Sequence, residues 1–147
     1  MDDLERLGSD AGVAEINAVL ECIPYIKFLG ISFESAAGHL IARLRFDDRL
    51  IGNPVLPALH GGVIGGFLET CAIVQVASES RTRALPKTID LTIDYLRSGR
   101  PLDTYARATI TKHGRRVANV QVIAWQDDPQ RPIAAAHGHF KLEPLGA

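Results

Sequence analysis

The sequence predicts an α+β domain: one antiparallel sheet of about six strands with a long helix laid on it, preceded by a short helix. Three observations carry this prediction. Residues 59–78, LHGGVIGGFLETCAIVQVAS, form an apolar run of helix length. From residue 87 onward, apolar positions recur at every second residue through four stretches. Upstream, two alternating stretches meet at Ala37-Gly38, a turn-forming pair.

A chain of 147 residues suits a single domain, 1–147, with a core of its own. Composition is that of a globular protein, 46% apolar and 22% charged. The net charge of -1 and scattered Lys and Arg residues argue against a nucleic-acid partner. The N-terminal MDDLERLGSD is acidic and lacks the basic and apolar regions of a signal peptide. Glu69, Gln75 and four glycines interrupt the long apolar run too often for a membrane span. Cys22 and Cys71 lie in apolar surroundings without metal-type spacing, so both are expected to be buried free thiols in a reducing compartment. The expectation is a soluble cytoplasmic protein, with no cofactor called for.

The elements follow in order. SDAGVAEINAVLECIPYI places Val13, Ile16, Leu20 and Ile23 at helical spacing. Ser9 or Asp10 can cap this helix and Pro24 should end it. FLGISFESAAGHLIARLRF reads as a hairpin, with Leu40, Ala42, Leu44 and Phe46 alternating with more polar neighbours. DDRLIGNPVLPAL reads as loop, because Pro54 and Pro57 block regular structure. The glycine-rich helix comes next. TIDLTIDYLR then sets Ile89, Leu91, Ile93 and Tyr95 on one strand face, and Thr88, Asp90, Thr92 and Asp94 on the other. TYARATITK and RVANVQVIAW are joined through Gly114, and IAAAHGHFKL is the last strand.

The central helix is apolar all round and should be buried on several sides. A six-stranded sheet covers one of them. A second copy of the chain is expected to cover the rest, making a homodimer. Within the helix, Glu69 is a lone carboxylate among apolar residues, and such a charge is costly unless it is paired, neutralised or used. Its face also carries Gly62, Gly65 and Gly66. Glycine costs a helix up to about 1 kcal/mol relative to alanine, so something must come close to this backbone. Tight packing and a ligand slot beside the carboxylate are both open readings.

His60, Gly61 and Gly62 stand at the helix start, where free N–H groups and the macrodipole favour negative charge. These donors could hold the oxyanion of an acyl-transfer reaction. Gly61 and Glu69 are eight residues apart, roughly 12 Å along a helix. A reacting carbonyl must lie within about 3 Å of both donor and base. If both act, Glu69 must work with Gly61 and Gly62 of another subunit, and an antiparallel dimer would hold two such sites.

NPVLPALHGGVIGGFLETCA, LPKTIDLTIDYLRSG and GRRVANVQVIAW, in this order, resemble the hot-dog-fold acyl-CoA thioesterases of the PaaI-like branch. The likeness covers roughly residues 25–142. It rests on a histidine followed by two glycines, an acidic residue nine positions after the histidine, and a strand ending Tyr-Leu-Arg. The resemblance implies a sheet wrapped around a long helix, dimers or dimers of dimers, and hydrolysis of an acyl-CoA thioester. It puts the acidic catalytic residue on Glu69, as base or nucleophile, and the oxyanion donor on Gly61. It makes Asn53 a candidate for holding substrate or water, and Thr88 a candidate support for the acidic residue, although strict strand alternation turns Thr88 to the polar face. A family substrate with phosphates calls for a basic rim. Arg97 and Arg100, after the strand, and Lys112, Arg115 and Arg116, around Gly114, are the candidates.

Other residues carry weaker signals. His60 can act as a base, hold the loop through its ring nitrogens or contact substrate. His137 and His139 form an H-x-H pair, but no third metal ligand stands at a readable spacing. Cys71 has no neighbouring cation to activate it. Two other functions compete: a non-catalytic acyl-CoA or small-ligand binding module, and a hot-dog hydratase or dehydratase. GNPVLP is similar to the hydroxyacyl dehydratase loop, but Asn53 stands where that chemistry uses a histidine.

Overall fold

The computed structural model describes Leu7 and residues 11–146. Helix α1 runs Val13–Leu20 from an N-cap at Gly12 and buries Ile16, Val19 and Leu20. The expected caps Ser9 and Asp10 lie outside the described residues. Pro24 does not simply end this helix. After a three-residue break it starts a second one, α2 (Pro24–Leu29), where a missing N–H costs nothing at the first position. Gly30 closes α2 in the left-handed conformation.

Strands β1 (Ile31–Ala36) and β2 (His39–Leu44) form the expected hairpin. Both turn residues, Ala37 and Gly38, have positive φ, the geometry that matches strand twist across a two-residue loop. The proline-rich segment that reads as loop contains a 3-10 turn (Asp48–Leu50) and a small ribbon of β3 (Ile51–Asn53) with β4 (Ala58–Leu59). Helix α3 spans Gly61–Glu79. Four long strands follow: β5 (Lys87–Tyr95), β6 (Thr104–His113), β7 (Val117–Trp125) and β8 (Ala134–Lys141).

The main sheet has the order β1-β2-β6-β7-β8-β5 and is antiparallel throughout. Its main contacts with α3 are made by β2, β5, β6, β7 and β8. Phe67, Leu68, Cys71, Ala72, Val74 and Val76 of α3 are buried against inward residues such as Ala106, Val120, Val122 and Phe140. By length and composition α3 could cross a membrane, but these side chains are spent against the sheet. Cys71 is buried as expected, whereas Cys22 is exposed at the end of α1. Both are free thiols.

The two edge strands are finished differently. Asn17 of α1 reaches β1, donating from Nδ2 to the Phe33 carbonyl (2.9 Å) and accepting the Phe33 N–H at Oδ1 (2.8 Å). Along β5, the outer row of backbone groups meets no element among the described residues.

Candidate active site

Strand β5 lies along α3 in the opposite direction. The Tyr95 hydroxyl donates to the Gly61 carbonyl (2.8 Å). A Cβ added at Gly65 would meet Ile93 Cδ1 at 3.1 Å. One helical turn further on, the Thr88 hydroxyl donates to Glu69 Oε1 (2.8 Å).

That last contact corrects the alternation argument, which turned Thr88 away from the helix. The pairing of β5 with β8 slips between Thr88 and Asp90, opposite Phe140 and His139. This is a β-bulge: one extra residue on one strand, which resets the parity of what precedes it. Leu91, Ile93 and Tyr95 face α3, and beyond the bulge Thr88 faces it too. The extra residue, Ile89, is left 55% exposed.

Glu69 is itself half-buried rather than enclosed. With Oε1 held by Thr88, Oε2 has no hydrogen-bond partner among the described residues. Beside it lies a cavity of about 250 Å³ lined by Leu20, Ile23, Tyr25, Ile26, Ile73 and Leu85, with Glu69 its one charged residue.

The start of α3 is built around His60. Its Nδ1 accepts the Gly62 N–H at 2.9 Å, so the ring is the helix cap. Its carbonyl accepts from Val63 and Ile64. Of the first amides of the helix, only that of Gly61 donates to nothing among the described residues. Gly62 is therefore not the second free donor that the sequence suggests. Gly52 supports this cap, because a Cβ there would lie 2.6 Å from His60 Cα.

The glycines also resolve. Ile93 lies over Gly65, and the Tyr25 hydroxyl would meet a Cβ on Gly66 at 3.1 Å. Side chains of this same chain fill the approach, so close packing explains these two positions. Gly61 and Glu69 line different cavities. That of Gly61, about 380 Å³, is formed with Ile64, Tyr95, Leu96 and Arg97.

The arginines divide between the two ends of α3. Arg97 and Arg100 line a hollow with Arg131 that shares Arg97 with the Gly61 cavity. There Arg100 pairs with Asp127, and Arg97 donates to the Pro132 carbonyl (2.9 Å). Arg115 lines a separate hollow with Ser80, Arg81 and His113 at the far end of the helix. Arg116 offers its carbonyl to Leu142, and Lys112 lies opposite Asn119 in the β6–β7 pair. Among the described residues the arginines therefore form no single basic rim. Asn53 is turned to its own loop: Oδ1 accepts from the N–H groups of Val55 (3.0 Å) and Leu56 (3.3 Å).

Two other sequence signals can be placed in the structure. Burial pushes the Cys71 thiol up to about 12, so no thiolate forms there at neutral pH. His139 Nδ1 lies 2.8 Å from Asp90 Oδ1, and this partner holds the Asp90 carboxyl below the usual range. No group of three potential metal ligands occurs among the described residues.

Sequence reasoning missed Tyr95, Arg131 and Gly52 as parts of the site. Tyr95 had a usable signal: a hydroxyl on the apolar strand face needs a partner, and the helix start supplies it. Gly52 and Arg131 are brought in by the β3–β4 ribbon and the β7–β8 turn, which carry no comparable mark.

The model of the thioesterase superfamily matches residues 56–133, more than half of the chain. The chain belongs to the thioesterase superfamily. The sheet wrapped around α3 is the hot-dog fold of that superfamily. The medium/long-chain acyl-CoA thioesterase YigI of Salmonella typhimurium is 30% identical over 135 residues, covering 82% of this chain and 86% of YigI. A crystal structure of a Chromobacterium violaceum protein is 41% identical, covers 90% of each chain and superposes with a TM-score of 0.72. The BH2602 protein of Bacillus halodurans, crystallised with CoA, shares the fold at 20% identity and a TM-score of 0.71, over 96% of this chain and 91% of that one.

Proposed function

We propose that this protein hydrolyses an acyl-CoA thioester to the free acid and coenzyme A. One observation carries the reading: Glu69 is held through Oε1 by Thr88, has no partner for Oε2 among the described residues, and lines an apolar cavity. No buried polar side-chain atom among the described residues lacks a partner, so Oε2 is open to water rather than sealed in, as a base that must meet a water molecule requires. The activities named for the acyl-CoA thioesterase YigI and the CoA held by the Bacillus halodurans protein support the choice of thioester.

The site needs two chains. Glu69 and the free Gly61 N–H are eight residues apart on one rigid helix, roughly 12 Å. The open edge of β5 offers the remedy. Antiparallel pairing with the β5 of a second copy continues the sheet and satisfies that edge. With a two-fold axis near Gly65 and Ile93, each Glu69 then lies opposite the partner's Gly61. A dimer of dimers is compatible with this arrangement. Free Cys22 and Cys71 support a cytoplasmic setting.

The thioester carbonyl oxygen accepts from the N–H of Gly61, and Glu69 of the other chain removes a proton from water as it adds to the carbonyl carbon. Collapse of the tetrahedral adduct breaks the C–S bond, and the proton returns to the departing thiolate. Direct attack by Glu69, through a mixed anhydride, leads to the same products. Arg97 and Arg131 near the Gly61 end offer charges to the phosphates of coenzyme A.

Complementation tests the two-chain site. Glu69→Gln and Gly61→Pro are each expected to lose about 10²–10³-fold in turnover. Proline suits this position: it removes only the free N–H at the first helical residue, and His60 already has the extended backbone that precedes proline. Co-expressed, the two variants form hybrid dimers with one intact site and should regain roughly a quarter of normal activity. Absence of any recovery would put both groups in the site of one chain. Full activity of Glu69→Gln on a good substrate would end the hydrolysis mechanism altogether.

A further inference from the structure

We propose that the cavity between α3 and the α1–α2 pair is the acyl pocket, that it selects an uncharged chain of medium length, and that Tyr25 sets its limit. The inference rests on the reading of Glu69 as the group beside the reacting carbon, and it names the substrate class of that site.

The lining decides the chemistry of the occupant. Leu20, Ile23 and Ile26 come from the helix pair, Ile73 and Val74 from α3, and Leu85 from the segment before β5. The Thr70 hydroxyl, also on the wall, already donates to the Gly66 carbonyl (2.8 Å). The only acidic or basic residue in the lining is Glu69. A second carboxylate in this hollow would be desolvated beside the first, which excludes acyl groups ending in a carboxylate.

The dimensions decide the size. An apolar cavity of about 150 Å³ holds benzene, and this one measures about 250 Å³. From Glu69 to Val74 the helix advances roughly 7.5 Å, and an extended chain advances roughly 1.2 Å per bond. About six carbons beyond the carbonyl therefore fit before the wall at Leu20 and Val74, both buried. Tyr25 forms the open side. Its ring lies against α3 at Gly66, where a Cβ would meet the hydroxyl at 3.1 Å, and with the residue 56% exposed it is, among the described residues, the one large side chain between the cavity and solvent on this side.

Steady-state kinetics with acetyl-, octanoyl-, hexadecanoyl- and succinyl-CoA test this. The wild type should favour octanoyl over acetyl and succinyl in kcat/KM by about 10²-fold or more. Ile73→Trp, which fills the pocket, should lower the octanoyl-to-acetyl ratio about tenfold or more. Tyr25→Ala, on an exposed residue, should raise the hexadecanoyl-to-octanoyl ratio. If Ile73→Trp does not fold, Ile23→Trp fills the same space from the opposite wall. Unchanged ratios in the folded variants, or succinyl-CoA cleaved as well as octanoyl-CoA, would overturn the assignment. If the wild type cleaves no thioester, the hydrolysis reading fails while the pocket is still tested. In that case calorimetry should show octanoyl-CoA binding more tightly than acetyl-CoA or CoA, and equal binding of all three would overturn the pocket.

Discussion

The two edges of the main sheet face the same physical demand and meet it in opposite ways. At β1, the carboxamide of Asn17 takes both backbone groups of Phe33 and α1 packs over the strand. At β5, no described element covers the outer row, and Ile89 and Tyr95 are each 55% exposed. An edge left open and apolar invites a second chain, and proteins that stay monomeric blunt such edges. The contrast teaches where self-sufficiency ends. The β1 side is completed by its own chain. The β5 side carries the candidate functional residues and is left open by its own described elements.

That contrast can be broken from the open side first. Ile89→Lys puts a charge on the uncovered strand. The expected result is a monomer in analytical ultracentrifugation, with activity reduced by about 10²-fold, as the proposed pairing of Glu69 with the partner's Gly61 N–H requires. A monomer with full activity would dissolve the link between edge and catalysis. The closed side responds differently. Asn17→Ala leaves the Phe33 N–H and carbonyl without their partner and should cost about 2 kcal/mol in urea unfolding. Its association state should not change. A shift toward higher oligomers would mean that Asn17 guards the edge as well as stabilising it.

The smallest effect sharpens the closed side. Asp103 accepts the Phe46 N–H (2.7 Å) and pairs with Arg43 beside β2. These partners, the Phe46 amide foremost, hold its carboxyl below the usual range. A carboxylate lowered in the folded state stabilises the fold above its unfolded pKa. That contribution disappears as pH falls through the folded value. Melting temperature should therefore fall on acidification below about pH 4, and the fall should be shallower in Asp103→Asn.

Much of this architecture was legible because its signals are local. The apolar run starting at His60 and the Ala37-Gly38 pair specify a helix and a turn by residue type alone. So do the alternating strands β6, β7 and β8, whose inward residues are buried. Glu69 and the Gly61 amide stood out for the same reason: a charge in apolar surroundings and a free helix end are visible without tertiary context. What escaped depends on partners. Pro24 is a helix breaker by rule, but it opens α2 because Tyr25, Ile26 and Leu29 then cover α3. The division of Arg97 from Arg115 reflects which end of α3 each connection reaches, and spacing in sequence does not encode it. Thr88 was assigned to the wrong face because the alternation rule assumes regular pairing, and the bulge arises where β5 fits β8.

The bulge also bears on how relatives should be aligned. Ile89 is a residue taken up without lengthening the ladder. A relative lacking it would keep strict alternation and bring the same hydroxyl to the same carboxylate. A gap in such a comparison therefore belongs at Ile89, because moving it ahead of Thr88 would align Thr88 with a residue that points away from α3. A one-residue insertion here leaves the Thr88–Glu69 contact in place.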